Sequence, residues 1–125
     1  MRIVSPVSGS QVDGARGVRI EGDACGLSNE SAWLFDYDYG SKSYYEDYGD
    51  SPGPIVSRNG KWTFINSPIG NKGDDRVKYT LTLVLASPDC NGKLRAIKPD
   101  GTEYSISEMP PGCVIAQGVD VYVTY

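Results

Sequence analysis

An all-β fold, a two-sheet antiparallel sandwich of about seven strands, is predicted by three features of this 125-residue sequence. Turn residues recur along it. "SPVSGS" and "DGARG" set Pro, Gly, Ser and Asp between short apolar runs, and such breaks return at roughly the 8–12-residue spacing of a sandwich. Segments such as "AWLFDYDY" and "VDVYVTY" alternate with a period of two, as half-buried strands do. No stretch carries the periodicity of a long helix, and there is no internal repeat.

Strands are predicted first at Arg2–Val4 and Gly17–Asp23. Next comes Ser31–Tyr39, where Trp33, Phe35, Tyr37 and Tyr39 alternate with Leu34, Asp36 and Asp38. Acids on one face predict a half-buried strand whose first aromatics point inward and whose far end emerges into solvent. A short hairpin strand follows at Ser43–Tyr45. "PGPIV", residues 52–56, reads as an edge strand, because proline cannot donate to a ladder. In "RNGKWTFI", Asn59-Gly60 suits a tight turn with positive φ, with Trp62 and Phe64 on one face beyond it. Val77–Ala86 is the most apolar run and is expected at the centre of a sheet, which Val119–Tyr125 closes with its valines inward. A short helix is expected near residues 89–97, in "DCNGKLRAIK". Trp33, Trp62 and Phe64 are expected in the core. Trp33, Trp62 and Val77–Ala86 are expected to fill the space between two facing sheets and leave a tyrosine-and-aspartate hairpin outside.

The length fits one domain, residues 1–125, with a core large enough to need no metal or disulfide. Strand-like sequence running from Arg2 to Tyr125 suggests a module excised from a longer protein, with other domains of that parent chain as neighbours. The net charge of −4 is confined to "DYDYGSKSYYEDYGD", residues 36–50, whose five carboxylates and one lysine leave the remainder balanced. Phosphate-neutralising binding needs a basic stripe, and none exists, which argues against nucleic acid and anionic membrane surfaces as partners. No apolar run approaches the ~20 residues of a membrane span, so no membrane insertion is expected.

The chain has no histidine, which removes Ser-His-Asp and Cys-His catalysis within it. There is no glycine-rich loop leading from a strand into a helix to cradle phosphate. The clustered carboxylates are expected on an exposed loop, where nothing would raise their pKa. No catalytic residues, no enzyme activity and no cofactor are therefore expected.

Strand polarity in a sandwich of this order places Cys25, Cys90 and Cys113 at one pole. They permit one disulfide and one leftover thiol, as Cys90–Cys113, Cys25–Cys113 or Cys25–Cys90; three small, partly buried thiols are the alternative. A zinc site would lack its fourth ligand. A disulfide would favour an exported or cell-surface protein, and nothing else in the sequence bears on the compartment.

In the acidic stretch, Asp36, Asp38 and Asp47 fall at positions 1, 3 and 12 of an EF-hand count. Ser41 stands where the sharp turn needs glycine, Asp47 replaces the bidentate glutamate, and no helices flank the loop. A calcium site of another kind, from Asp36, Asp38, Asp47 and Asp50, is a weak candidate, and no metal is expected. Tyrosine mixed with Asp, Gly and Ser is also the composition of loop-based recognition surfaces. Tyr39, Tyr44, Tyr45 and Tyr48, with Asp47 and Asp50 accepting hydrogen bonds, are the candidate ligand-binding residues, for a protein or a carbohydrate. The plainer reading is an acidic hairpin that protects a sheet edge from pairing with other chains. The sequon Asn29-Glu30-Ser31 is read as chance.

"SPVSGSQV", "GVRIEGDACGL", "AWLFDYDYGSKSYYED", "NGKWTFINSPIG", "YTLTLVLAS", "MPPG" and "VDVYV" occur in that order. Over essentially the whole chain this resembles a widespread bacterial immunoglobulin-like module. The resemblance implies an immunoglobulin-like sandwich that serves as an accessory domain of larger proteins, with no shared catalytic residues. The chain departs from the module's usual Y-Y-P-Q at Tyr44-Tyr45-Glu46-Asp47, and Asp36, Asp38 and Asp50 are its own. The function expected is a non-enzymatic binding module that uses residues 36–50. A purely structural spacer and a calcium-stabilised sandwich are the alternatives.

Overall fold

The computed structural model describes residues 1–48, 52–96 and 105–125. These form β1 (Arg2–Ser5), β2 (Ser10–Asp13), β3 (Val18–Asp23), β4 (Ser31–Asp38), β5 (Ser43–Asp47), β6 (Lys61–Ser67), β7 (Asp75–Ala86), α1 (Pro88–Ala96), β8 (Ser105–Ile106) and β9 (Cys113–Thr124). They make a two-sheet β-sandwich. One sheet has three strands in the order β1-β3-β6, and the other has six in the order β2-β9-β7-β4-β5-β8. Neighbours pair antiparallel, except that β2 runs parallel to β9.

The described residues thus hold nine strands. β2 and β8 are additional to those expected, and β9 begins at Cys113 rather than Val119. "PGPIV" is not a strand. Pro52 and Pro54 offer no donors, and the segment makes a single rung, Ile55 N–H to the Ala32 carbonyl at 2.7 Å. The turn before β6 is as expected. Asn59 (φ 54°) and Gly60 (φ 73°) are both left-handed, and Arg58 and Lys61 exchange backbone hydrogen bonds across them.

Between the sheets lie Ile3, Val18, Ile20, Trp62 and Phe64 from one side and Leu34, Leu81, Leu83, Val119, Val121 and Val123 from the other. The Trp62 ring occupies the space a side chain at Gly22 would fill, and its indole N–H donates to the Asp23 carbonyl at 3.2 Å. The sheets are also tied at an edge. Gln117, on the bulged strand β9, accepts from Ile3 N–H at 2.7 Å and donates to the Ile3 carbonyl at 3.2 Å, standing in for a missing strand rung.

Trp33 corrects the sequence-based expectation. It is buried, but it points away from the opposing sheet. Trp33, Phe35, Val84 and Ala86 form a second core on the outer face of the large sheet, capped by Cys90 and Leu94 of α1. β4 is therefore buried on both faces from Ala32 to Asp36, and its phase is opposite to the one read from alternation: the aromatics face outward and Leu34 and Asp36 face inward. The helix makes this possible by adding a third apolar layer. It starts where expected and ends at Ala96; residue 97 lies outside the described residues. Ser87 caps it, its Oγ accepting from Cys90 N–H at 3.2 Å, and Pro88 occupies the first helical position. Asn91 Oδ1 accepts from the Trp33 indole N–H at 2.9 Å.

A disulfide joins Cys90 to Cys113, Cα to Cα 5.3 Å, and pins α1 to the start of β9. Of the arrangements open to three cysteines, this excludes the fully reduced one. Cys25 is free and exposed.

Candidate functional site

The β4–β5 hairpin turns through Lys42 (φ 54°) and pairs Asp36 with Tyr45, Tyr37 with Tyr44 and Asp38 with Ser43. Directly opposite residues share a face, so the register divides the acidic stretch into two unlike surfaces. Tyr37 and Tyr44 lie on the outer face of the six-stranded sheet, with Tyr39 in the turn just past the end of β4. Asp36, Tyr45 and Asp47 lie on the face toward the small sheet.

On the outer face the three tyrosine rings interlock. Tyr37 meets Tyr44 at 4.6 Å and Tyr39 at 5.0 Å between centroids, and Tyr44 also packs edge-on to Phe35 at 6.4 Å, where the second core ends. Burial, with Tyr37 and Tyr39 beside it, pushes the Tyr44 phenol above its ordinary pKa. Tyr39 is 47% exposed. Its hydroxyl lies 2.7 Å from Thr80 Oγ1, which donates its own proton to Asp120 Oδ1 at 2.8 Å, so Tyr39 is the donor to Thr80. Lys78 Nζ sits 4.8 Å from the Tyr39 ring centroid and 3.9 Å from Asp120 Oδ2. Tyr122, paired with Lys78 across β7 and β9, is exposed beside them. Tyr39, which packs on Tyr37, is thus held by polar groups of β7 and β9. The result is an aromatic patch, rich in hydrogen-bonding groups, on the half of the sheet face that α1 does not cap.

The inner face holds carboxyls where an exposed loop was expected. Asp36 is 5% exposed and Asp47 3%. Asp47 Oδ1 accepts from Ser67 Oγ, at the end of β6, at 3.1 Å, while its Oδ2 is buried with no hydrogen-bond partner among the described residues. Burial first, and then the charge of Asp36, push the Asp47 carboxyl well above the usual carboxylate range; the Ser67 hydroxyl pulls the other way.

The expected binding set is therefore split. Tyr39 and Tyr44 belong together, Tyr45 and Asp47 face the other way, and Tyr48 is exposed just past the end of β5. Asp50 lies outside the described residues. The calcium candidates are dispersed as well. Asp36 and Asp47 point between the sheets, whereas Asp38 Oδ1 accepts from Gly40 N–H at 2.8 Å and closes the hairpin turn. Among the described residues no three or more acids, cysteines or histidines are grouped to hold a metal ion. Sequence reasoning missed Tyr37, although it shares the alternation of Tyr39. It also missed Lys78, Thr80 and Asp120, whose only signal is the register across three strands.

No family model, curated protein or solved structure matches the chain.

Proposed function

We propose that this domain is a non-enzymatic recognition module of immunoglobulin-like type that binds a neutral carbohydrate on the outer face of its six-stranded sheet, at Tyr37, Tyr39 and Tyr44. The parallel β2–β9 pairing beside an otherwise antiparallel sheet supports the immunoglobulin-like assignment. One observation carries the ligand reading: the lysine beside the rings is already paired with an acid. Lys78 pairs with Asp120, and Tyr39 reaches Asp120 through Thr80, so beside Tyr39 the patch offers ring faces and directed hydrogen-bonding groups with its cation already paired. Sugar rings present apolar C–H faces and neutral hydroxyls, which match that combination. Tyrosine provides such contact area at low entropic cost. The disulfide fits an oxidising compartment, where surface glycans are met.

A protein ligand is the second reading, favoured by exposed Ile115 and Tyr122 on the same sheet. Tyr39→Ala tests both, on a glycan array and against candidate proteins. Affinity is expected to fall by about 2 kcal/mol, roughly thirty-fold, with the melting temperature nearly unchanged. Wild-type protein that retains no glycan and no protein would leave the spacer role instead.

A further inference from the structure

We infer that Asp36 and Asp47 hold a single proton between them inside the sandwich, and that this proton seats the β4–β5 hairpin, so that rising pH loosens the strands carrying the tyrosine patch. This does not depend on what the patch binds.

Two carboxyls on adjacent strands point into the space between the sheets, 5% and 3% exposed. An isolated buried carboxylate is so costly that the group neutralises instead, unless a cation or several donors compensate it. The donors are few. Asp47 receives one hydroxyl, Ser67 Oγ at 3.1 Å, and its second oxygen has no partner among the described residues. The charged groups that act on it, Asp36 from β4 and Glu46 from β5 itself, are both acids. From the end of β9, Tyr125 comes close enough for Asp36 to help raise its phenol, so that neighbour is neutral. Like charges in contact cannot both ionise, and the pair titrates as a unit. A proton on one carboxyl supplies the missing donor and removes one charge.

The location gives the proton its consequence. Asp47 sits opposite Leu34 near the end of β5, and the Ser67 bond ties this strand to β6 of the other sheet. Losing the proton would place two negative charges at that junction, directly behind Tyr37 and Tyr44.

The sign of the pH dependence follows. The folded-state pKa of Asp47 lies above the unfolded value of 3.8. Below the unfolded value both states are protonated and the stability is fully present. As pH rises toward the folded value, only the unfolded chain releases its proton, and stability falls by roughly tenfold in the folding equilibrium per pH unit.

The test is urea unfolding from pH 4.5 to 9 on wild-type protein and Asp47→Asn, with carboxyl ¹³C shifts of wild type followed over the same range. Asparagine can accept from Ser67 and donate to Asp36, mimicking the protonated acid. Wild type is expected to lose stability with rising pH. Asp47→Asn should remove that slope and be at least tenfold more stable in its folding equilibrium at pH 8. One carboxyl resonance should titrate well above the ordinary carboxylate range. Amide exchange in β4 and β5 should accelerate with pH, beyond its intrinsic dependence, in wild type only. The inference is overturned if both carboxyls titrate near 4. It is equally overturned if calcium stabilises wild type and not the variant, since the pair would then hold a cation, or if wild type gains stability as pH rises.

Discussion

Trp33→Ala is expected to destabilise the domain by about 3–5 kcal/mol, a large share of the roughly 5–15 kcal/mol that holds a domain of this kind together. The side chain is 1% exposed, stacks on Phe35 with centroids 6.3 Å apart, and is the largest member of the core beneath α1. Its removal leaves a cavity under the helix. It also removes the indole N–H that Asn91 accepts, a polar tie between α1 and the sheet. The damage should be local in character. Amide exchange in α1 should rise toward the unfolded rate at denaturant concentrations where β3 and β6 stay protected. Trp62→Ala, of similar cost, should do the reverse, because Trp62 packs on Gly22 and Phe64 between the sheets. Urea denaturation with exchange detected by mass spectrometry checks both variants.

Removing the Cys90–Cys113 bond, by reduction or as Cys90→Ala with Cys113→Ala, is expected to cost about 3 kcal/mol, since it opens a loop closed at a sequence separation of 23. The loop contains most of α1, which covers the outer face of the large sheet, and β8, the edge strand of that sheet. The reduced protein should therefore keep its β-sandwich and lose protection first in α1. Cys25→Ala should leave stability within about 0.5 kcal/mol, because Cys25 is exposed and unpaired. A thermal melt with and without reductant separates the two cases.

Much of the scaffold was readable in the sequence. The Asn59-Gly60 turn, the apolar run that became β7 and the burial of Trp33, Trp62 and Phe64 all follow from local chemistry: left-handed turn residues, β-branched runs and large rings. The phase of β4 was not. Alternation states that two faces differ, and it does not say which faces the opposing sheet, because a helix on the outside makes both faces apolar. "AWLFDYDY" was accordingly read with its first rings between the sheets and Asp36 in water, and each is on the other side. That single inversion accounts for most of the errors about the site. It put Asp36 and Asp47 on the exterior, grouped Tyr45 with Tyr44, and hid the contribution of β7 and β9. The two short strands escaped for a different reason. β2 has only "SQVD" between glycine-containing turns, and β8 only "SI", too few residues to show a period. Strand polarity left every cysteine pairing open, and α1 selects one by carrying Cys90 over the start of β9.

The phase of β4 fixes the second core, the outward tyrosines and the inward acids together. A nuclear Overhauser spectrum of the oxidised protein in solution reads it directly. Cross-peaks are predicted from the Trp33 and Phe35 rings to the Leu94 methyls and the Tyr44 ring, and from the Leu34 methyls into the Trp62 and Phe64 cluster. Cross-peaks from the Trp33 or Phe35 rings to Trp62 or Phe64 would contradict it.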